Sequence, residues 1–233
     1  MNALREELKK YASEERRKVN IRFFKTGKGE YGEGDQFIGV TVPECRKVAS
    51  TFLDTPIIQL KKTLHSPLHE ERLVGLFILV EKYRKAITEK EKKKIVDFYL
   101  KNKEKVNNWD LVDLSAYKIL GNYLLHQDKK ILHTLAKSPS LWDRRIAILS
   151  TYASIQEDQF NDTFLLCEKF LSDKEDLMHK ACGWMLREIG KRDEKALETF
   201  LKKHHLKMPR TMLRYSIERF PKNKREKYLL GTA

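Results

Sequence analysis

The sequence predicts an all-α protein, a curved α-solenoid in which two-helix repeats stack one after another. Apolar residues recur at the three- and four-residue spacing of a helix along almost the whole chain, and strand signals are nearly absent. Gly (10) and Pro (6) are too few, among 233 residues, for a protein of many short strands and tight turns. Several helices also look like members of a repeating pair. Residues 1–233 are expected to form a single domain.

Capping residues and prolines indicate where the helices begin. Thr88 and Glu91 have the spacing of a capping box, and Asn108 is the expected N-cap of a helix that starts at Trp109. Five prolines stand where a helix would start, a position that proline tolerates: Pro43, Pro56, Pro139, Pro209 and Pro221. The predicted helices lie near 3–16, 18–25, 43–53, 56–64, 68–85, 88–103, 109–126, 128–136, 140–155, 159–171, 175–190, 193–204, 209–219 and 222–229.

The predicted helices come in pairs, in which a short polar helix precedes a more apolar one. The second helices begin about 30 to 40 residues apart, the range of two-helix repeats, near Leu68, Trp109, Leu141, Asp176 and Pro209. Three of them share a basic residue that is soon followed by a small one: Arg72 with Gly75, Arg145 with Ala147, and Lys180 with Gly183. Small residues let neighbouring helices approach closely, and aligned cations on a concave surface would suit a nucleic-acid backbone. Repeated packing with solvated charges is the alternative.

The charge of the chain points to a polyanionic partner. The net charge is +14 at pH 7. Between residues 201 and 233, ten Lys or Arg residues stand against two Glu, so that segment alone contributes 10 − 2 = +8. The mixed run from Lys90 to Lys105 is interpreted as an ordinary solvated helix surface. With no signal peptide, no apolar stretch of membrane-spanning length and three widely spaced cysteines, a cytoplasmic protein without a membrane partner or a disulfide framework is expected.

Two sequence patterns that resemble ligand-binding motifs do not indicate a binding site here. The segment Gly27-Lys28-Gly29-Glu30-Tyr31-Gly32 matches a dinucleotide fingerprint, but a predicted helix precedes it and its acidic neighbours would repel phosphate. A glycine-rich connection is therefore expected there. His65 and His69 are four residues apart, but Pro67 between them should interrupt the helix that would align them on a metal. Neither a metal nor a cofactor is expected.

The helix predicted to start at Trp109 carries a more informative pair. Trp109 and Asp113 are i and i+4, so their side chains share one helix face. Asp110, in the first turn, is explained by the helix dipole. Asp113 lies one turn deeper among apolar neighbours, where a carboxylate needs either a structural ion pair or a function. If the repeats stack, Trp109, Asp113, Arg145 and Trp184 come from successive repeats and would converge on the concave face.

Three motifs in order give the sequence a specific resemblance. They are Asn108-Trp109-Asp110-Leu111-Val112-Asp113, Leu141-Trp142-Asp143-Arg144-Arg145-Ile146-Ala147-Ile148-Leu149 and Lys180-Ala181-Cys182-Gly183-Trp184-Met185-Leu186-Arg187-Glu188. With them, the chain from about Arg22 to Arg214 resembles the bacterial DNA alkylation repair enzymes of the AlkD family, which are DNA glycosylases built from HEAT-like repeats. The resemblance implies hydrolysis of the N-glycosidic bond of positively charged N3- or N7-alkylated purines in duplex DNA, in base excision repair.

The resemblance also implies roles for individual residues. An alkylated purine already carries a positive charge and leaves without a general acid, so the reaction needs a carboxylate to stabilise the oxocarbenium sugar and orient a water. Asp113 would supply it. Trp109 and Trp184 would contact the cationic nucleotide, and Arg145 would hold a backbone phosphate. Further contacts with DNA are expected from Arg144, Lys180, Lys202, Arg210, Arg214 and Phe23.

One departure from the family keeps an alternative open. Phe23 stands where the best-known branch has an active-site Tyr, so this position retains an aromatic face but has no hydroxyl to offer a substrate. A non-catalytic HEAT-repeat DNA-binding protein is therefore the second hypothesis. A protein–protein adaptor is the third, although it would need neither an aligned Asp113 nor a basic final repeat. The expected protein is a monomer that works in the cytoplasm and associates with the nucleoid when it is on DNA.

Overall fold

The computed structural model of the protein describes residues 2–232 and confirms the all-α class. Within these residues the backbone is helical with no strand, and an isolated bridge pairs Gln36 with Leu68. The α-helices are α1 (Asn2–Lys9), α2 (Glu14–Phe23), α3 (Val42–Thr51), α4 (Ile57–Leu64), α5 (His69–Lys85), α6 (Glu89–Lys101), α7 (Trp109–Asp113), α8 (Asn122–Leu124), α9 (Lys130–Leu135), α10 (Leu141–Gln156), α11 (Asn161–Lys169), α12 (Asp176–Arg192), α13 (Glu194–His204), α14 (Arg210–Ser216) and α15 (Lys222–Leu230).

The predicted helix starts are confirmed at atomic detail. Thr88 and Glu91 form the expected capping box at α6, and the Asn108 side chain accepts a hydrogen bond from the Trp109 N–H at the start of α7. Pro209 and Pro221 are the N-cap residues of α14 and α15. Thr88 and Asn108 mark helix starts because their side chains accept hydrogen bonds from backbone N–H groups that the helix itself leaves unpaired. Pro209 and Pro221 mark them because proline is tolerated where a helix begins.

Two predicted helices are interrupted. The helix predicted near 3–16 ends at Lys9, because Ser13 leaves the helix to donate its N–H to the Ile38 carbonyl and to cap α2. The helix predicted over 109–126 divides into α7, a wide π-helical turn at Tyr117–Gly121, and α8. Ser115 bonds the Leu111 carbonyl through its hydroxyl at the break between α7 and that turn, a bond that commonly bends helices.

The chain clusters into two compact units, with a boundary between Ile119 and Leu120. In the N-terminal unit, α5 is the central helix: α1, α3, α4, α6 and α7 all contact it. Residues from Leu73 to Leu79 are buried on every side. Gly75 lets α4 approach, since a Cβ at this position would lie 3.1 Å from side-chain atoms of Thr63 and Leu64. The small residue after Arg72 therefore serves close packing, as predicted.

The glycine-rich segment between α2 and α3 is a docked connection, as the sequence indicated. Gly39 has φ +81°, and a Cβ there would lie 2.0 Å from the Ser13 carbonyl oxygen, so a larger residue does not fit. The buried Glu70 carboxylate accepts hydrogen bonds from the backbone N–H groups of Ile38, Gly39 and Val40. These bonds fix the end of the connection against the first turn of α5.

In the C-terminal unit, second helices follow one another as the repeat hypothesis requires. Helix α10 packs on α12 and α12 on α14, while α9 lies against α10, α11 against both α10 and α12, and α13 against α12. Gly183 is required at the α12–α14 contact, because a Cβ there would lie 2.6 Å from the Met212 carbonyl oxygen. The order in which α10, α12 and α14 stack is thus the predicted one, but α13 packs mainly on α12 instead of on its expected partner α14. That residues 1–233 form one domain stays a prediction.

No helix within residues 2–232 has the length and apolarity needed to cross a membrane. The three cysteines, Cys45, Cys167 and Cys182, are buried as thiols. Burial raises the pKa of the Cys45 thiol far above its ordinary value, with the charges of nearby carboxylates adding to the effect, so this thiol stays protonated and unreactive. The cysteines serve packing in both units.

Candidate functional site

An aromatic cluster surrounds the start of α7 in the N-terminal unit. The Trp109 indole is half-buried and stacks on the buried Phe24 ring, with 5.3 Å between centroids and 13° between planes. The Phe23 ring meets the same indole edge-on at 5.6 Å and is 59% exposed. The structure therefore brings together two residues that the sequence singled out, Phe23 and Trp109. Together they form a partly exposed aromatic surface that rests on the buried Phe24 ring.

Asp113 lies at the end of α7, one turn after Trp109. Both side chains are half-buried, whereas Leu111 and Val112 between them are fully buried. The predicted i, i+4 relation is confirmed, and it puts the carboxylate on the partly exposed face of the helix, the face that carries the indole. An anion on the same helix face as an aromatic ring suits a cationic ligand.

A buried network of charged side chains lies beneath this surface. His69 Nδ1 is 3.0 Å from Asp35 Oδ2, and His69 Nε2 is 2.8 Å from Asp110 Oδ2. Arg72 also donates to Asp35 at 2.5 Å, and Asn108 donates to it at 3.1 Å. All five side chains are more than nine-tenths buried. The network joins the glycine-rich connection, α5 and the first turn of α7.

The role that the sequence assigned to Asp110 is incomplete. One of its oxygens does accept a backbone hydrogen bond in the first turn of α7, from the Leu111 N–H at 2.8 Å. The other oxygen holds His69, which is 41 residues away along the chain. The helix dipole therefore explains only half of what this carboxylate does. The ion pair was missed because sequence spacing carries no signal for partners so far apart.

The buried carboxylates keep His69 charged. Burial alone lowers the pKa of the imidazole, but the charge and hydrogen bond of Asp110 and the hydrogen bond of Asp35 outweigh it and raise the pKa to about 9. Burial also raises the pKa of the Asp35 carboxyl, yet the hydrogen bond from His69 and the charge of Arg72 hold it below its ordinary value. At neutral pH the network therefore contains two cations, His69 and Arg72, and two anions, Asp35 and Asp110.

Three further aromatic contacts, made by Phe24 and Phe37, tie this network to Trp109. The Phe37 ring stacks on His69 at 4.6 Å and on Phe24 at 4.9 Å, and Phe24 also lies 4.9 Å from the imidazole. The sequence singled out neither Phe24 nor Phe37 nor His69 for a site of this kind. The sequence does show four polar residues, His69 to Arg72, ahead of the apolar middle of α5, but such a run does not by itself indicate burial.

In the C-terminal unit, Arg144 and Arg145 make internal bonds at the start of α10. The half-buried Arg144 pairs with Asp173 at 2.7 Å and donates to the carbonyls of Ser138 and Pro139. Arg145 is 4% exposed and donates to the Leu177 carbonyl at 2.5 Å. Both arginines therefore connect α10 to the chain entering α12. Their contacts with DNA stay predictions, and Arg145 would have to rearrange to make one.

Trp184 and Lys180 lie on one face of α12, four residues apart. The half-buried Trp184 donates from Nε1 to the Glu188 carboxylate at 3.0 Å, and its ring centroid is 6.3 Å from that of Tyr152. Lys180 pairs with Asp176 at 2.8 Å. Trp184 thus has a fixed orientation within its own unit. Its convergence with Trp109, Asp113 and Arg145 stays a prediction.

The last repeat presents its cations to solvent. Lys202, Arg210 and Arg214 are exposed, and Arg210 also donates to the Leu229 carbonyl at 2.6 Å. His204 and His205 are buried between helices. Across residues 2–232 there is no cluster of three or more His, Cys, Asp or Glu side chains arranged to hold a metal ion.

Comparisons with known proteins agree with the fold. The sequence matches the family described as "DNA alkylation repair enzyme" over residues 4–220. No curated protein matches the chain. A solved structure described as a predicted DNA alkylation repair enzyme from Enterococcus faecalis is similar to this chain, with a TM-score of 0.69 and 17% identity over 91% of this chain and 97% of that one. At that identity, the likeness establishes the shared fold. Because the family match extends over most of its length, the chain belongs to the DNA alkylation repair enzyme family.

Proposed function

We propose that the protein is a DNA glycosylase that removes N3- and N7-alkylated purines from duplex DNA. The observation that carries the proposal is the partly exposed face of α7, where the Asp113 carboxylate follows the Trp109 indole by one turn and Phe23 extends the aromatic surface. Family membership supports an enzyme of DNA alkylation repair. The side chains at this face suit a cationic nucleotide better than a neutral one.

The reaction needs little from the protein because the substrate is already activated. When the C1′–N bond breaks, its electron pair returns to the alkylated purine, which leaves as a neutral base without being protonated. Positive charge develops on the sugar, where Asp113 would stabilise it electrostatically. A water oriented by the same carboxylate adds to C1′ and releases one proton to the surrounding solvent, leaving an abasic site. Hydrolysis therefore requires one anion and one water, and no general acid.

The remaining predicted residues would bind and orient the DNA. Trp109 and Phe23 of the N-terminal unit would lie against the cationic nucleotide. Trp184 of the C-terminal unit would supply a further aromatic contact with the DNA. Arg145, Arg144 and Lys180 would contact phosphates near the lesion once their internal bonds exchange. The exposed cations of the last repeat would bind flanking phosphates: Lys202, Arg210 and Arg214. The proposed enzyme acts as a monomer, in the cytoplasm.

The side chain of Phe23 favours a second candidate function. Its ring is in place beside Trp109, but it offers no hydroxyl to a nucleotide. A protein with this site would bind alkylated duplex DNA without excising the base efficiently. The two candidates share the DNA surface and differ only in base release, so one assay separates them.

The decisive experiment is base release from methylated duplex DNA. Under single-turnover conditions, we expect the protein to release 7-methylguanine or 3-methyladenine well above the spontaneous rate. Asp97→Asn is a matched control, since Asp97 is an exposed carboxylate on α6 away from the aromatic cluster. This control should release base like the parent, while Asp113→Asn should not. Tight duplex binding without release from the parent would establish the non-catalytic function instead.

A further inference from the structure

We propose that His69 is a positioning residue of this site: by bonding Asp35 and Asp110 at once and lying against Phe24, it fixes the first turn of α7 and so the orientation of Trp109. His69 itself is 2% exposed and therefore does not meet DNA. The inference rests on the proposed function only for what Trp109 does on DNA. The position of the indole and the charge on His69 can be measured without any activity.

The geometry of α7 supports the proposal at three consecutive residues. Asn108 donates to Asp35 with its amide and accepts the Trp109 N–H with its side-chain oxygen, at 3.1 and 2.8 Å. Asp110, on the other side of Trp109, bonds His69. Since His69 also bonds Asp35, both residues that flank Trp109 are held by the same imidazole, one directly and one through Asp35.

A second restraint acts on the indole itself. Trp109 stacks on Phe24, and the other neighbours of Phe24 include the rings of His69 and Phe37. A charged imidazole is attracted to aromatic faces, so protonation of His69 strengthens these ring contacts as well as its hydrogen bonds. Losing the imidazole would loosen the surface on which Trp109 rests.

The charges around His69 require it to be protonated. The groups that face it are Asp35 from the connection, Asp110 from α7 and Arg72 from its own helix. Asn108, Phe24 and Phe37 complete the surroundings and carry no charge. A neutral imidazole would leave two buried carboxylates with one cation, which is costly in a site closed to water.

The same turn of α5 contains a matched control. Glu71 is fully buried and pairs with the partly exposed Arg5, so its carboxylate, like the imidazole of His69, is a buried group held by an ion pair. Its partner lies on α1, away from α7. Glu71→Gln should therefore cost stability without moving Trp109. Any effect special to His69→Gln then reflects the link to α7 rather than a general weakening of this turn.

The first test needs no substitution in the network. Nitrogen-detected NMR of the parent protein at pH 7.5 should show both ring nitrogens of His69 carrying slowly exchanging protons. A singly protonated His69 at this pH would overturn the proposal, because one of the two carboxylates would then not receive a hydrogen bond from the imidazole.

The second test reports on Trp109. With fluorotryptophan incorporated, the fluorine resonance of Trp109 should shift or broaden in His69→Gln, while those of Trp142 and Trp184 stay in place. Glu71→Gln should leave all three unchanged. An unchanged Trp109 resonance in a folded His69→Gln protein would overturn the proposal. If that variant does not fold, Asp110→Asn, which removes one of the two anchors, is read in the same way.

A kinetic measurement then connects the positioning to the chemistry. We expect His69→Gln to lower the single-turnover rate of base release by about tenfold or more, because a small misplacement of a catalytic group slows the reaction strongly. The Kd for duplex DNA should change by less than about twofold. Equal losses of rate and affinity would contradict a positioning role. Absence of release from the parent would refute the proposed glycosylase while the two NMR tests still decide the role of His69.

Discussion

The first turn of α5 and the last repeat are both rich in charge, yet the protein uses the two regions in opposite ways. From His69 to Arg72, four polar side chains are buried, and their partners lie about 30 to 70 residues away in sequence. In the last repeat, Lys202, Arg210 and Arg214 are exposed to solvent. The first region restrains structure, and the second leaves positive charge available to a polyanion.

The difference teaches that burial, rather than charge, decides what a charged residue does. A buried ion makes strong interactions because water does not screen it, and it must be matched because an unpaired partner is costly. An exposed cation interacts weakly with its neighbours and strongly with a dense array of phosphates, in a salt-dependent manner. Substitutions in the two regions should therefore differ in kind, and the following predictions test that contrast.

The largest effect is expected at the exposed face of α7. Asp113→Asn is nearly isosteric and removes the anion, so the single-turnover rate of base release should fall by roughly 10²–10³. The Kd for duplex DNA should stay close to that of the parent. Quench-flow release of 7-methylguanine measures the rate, and circular dichroism confirms the fold. Full activity of Asp113→Asn would remove this carboxylate from the mechanism.

The next effect is on stability and depends on pH. The native pKa of His69 is about 9, above the 6.5 of an unfolded histidine, so the stabilisation it gives is complete below pH 6.5 and is lost as the pH rises through 9. The difference between the two pKa values corresponds to about 3 kcal/mol. Urea unfolding of the parent and of His69→Gln across this range should show the decline only in the parent. Parallel curves for the two proteins would show that His69 is not charged in the folded state.

A smaller effect is expected from the exposed cations. Reversing the charge at Lys202, Arg210 and Arg214 should weaken binding to all duplex sequences alike, and each of these side chains that binds a phosphate should lower the salt-dependence slope by about 1 when it is reversed. The control reverses three exposed lysines of α6: Lys90, Lys94 and Lys101. Both variants change the net charge equally. If they lose affinity equally, the last repeat has no special contact with DNA.

The smallest effect is expected at Phe23. Phe23→Tyr keeps the ring beside Trp109 and adds a hydroxyl, and one hydrogen bond is worth about 1 kcal/mol. Base release should therefore rise by about fivefold at most, with unchanged affinity for undamaged duplex. A series of methylated substrates would show which lesion gains. A loss of activity would mean that the hydroxyl is not accommodated at this position.

The sequence alone predicted the parts of the molecule that depend on local interactions. Caps such as Asn108, the placement of Trp109 and Asp113 one turn apart on one helix, and the small residue Gly183 at a helix contact are all confirmed. Local patterns are sufficient here because each involves a few consecutive turns of one helix. The division of 109–126 into pieces was not predicted, since it depends on how Ser115 competes for a backbone carbonyl.

The buried network could not be predicted from the sequence, and the reason is physical. Its members, Asp35, His69 and Asp110, are brought together only by folding, and nothing in a hydropathy pattern distinguishes a buried polar run from a solvated one. The sequence predicted that Arg72 belongs to a line of surface cations, and this is wrong: Arg72 is 4% exposed and bonds Asp35. The pairing of charges that lie far apart in sequence becomes visible only in the folded structure.

The central claim is that α7 carries the chemistry while the last repeat carries the affinity. One paired measurement tests it most directly: the single-turnover release rate at saturating protein, and the Kd for methylated duplex, for the parent, Asp113→Asn and the variant reversed at Lys202, Arg210 and Arg214. We predict that Asp113→Asn loses rate and keeps affinity, and that the charge-reversed variant loses affinity and keeps its saturated rate. Loss of affinity in Asp113→Asn with its rate intact, or no release by the parent, would contradict the claim.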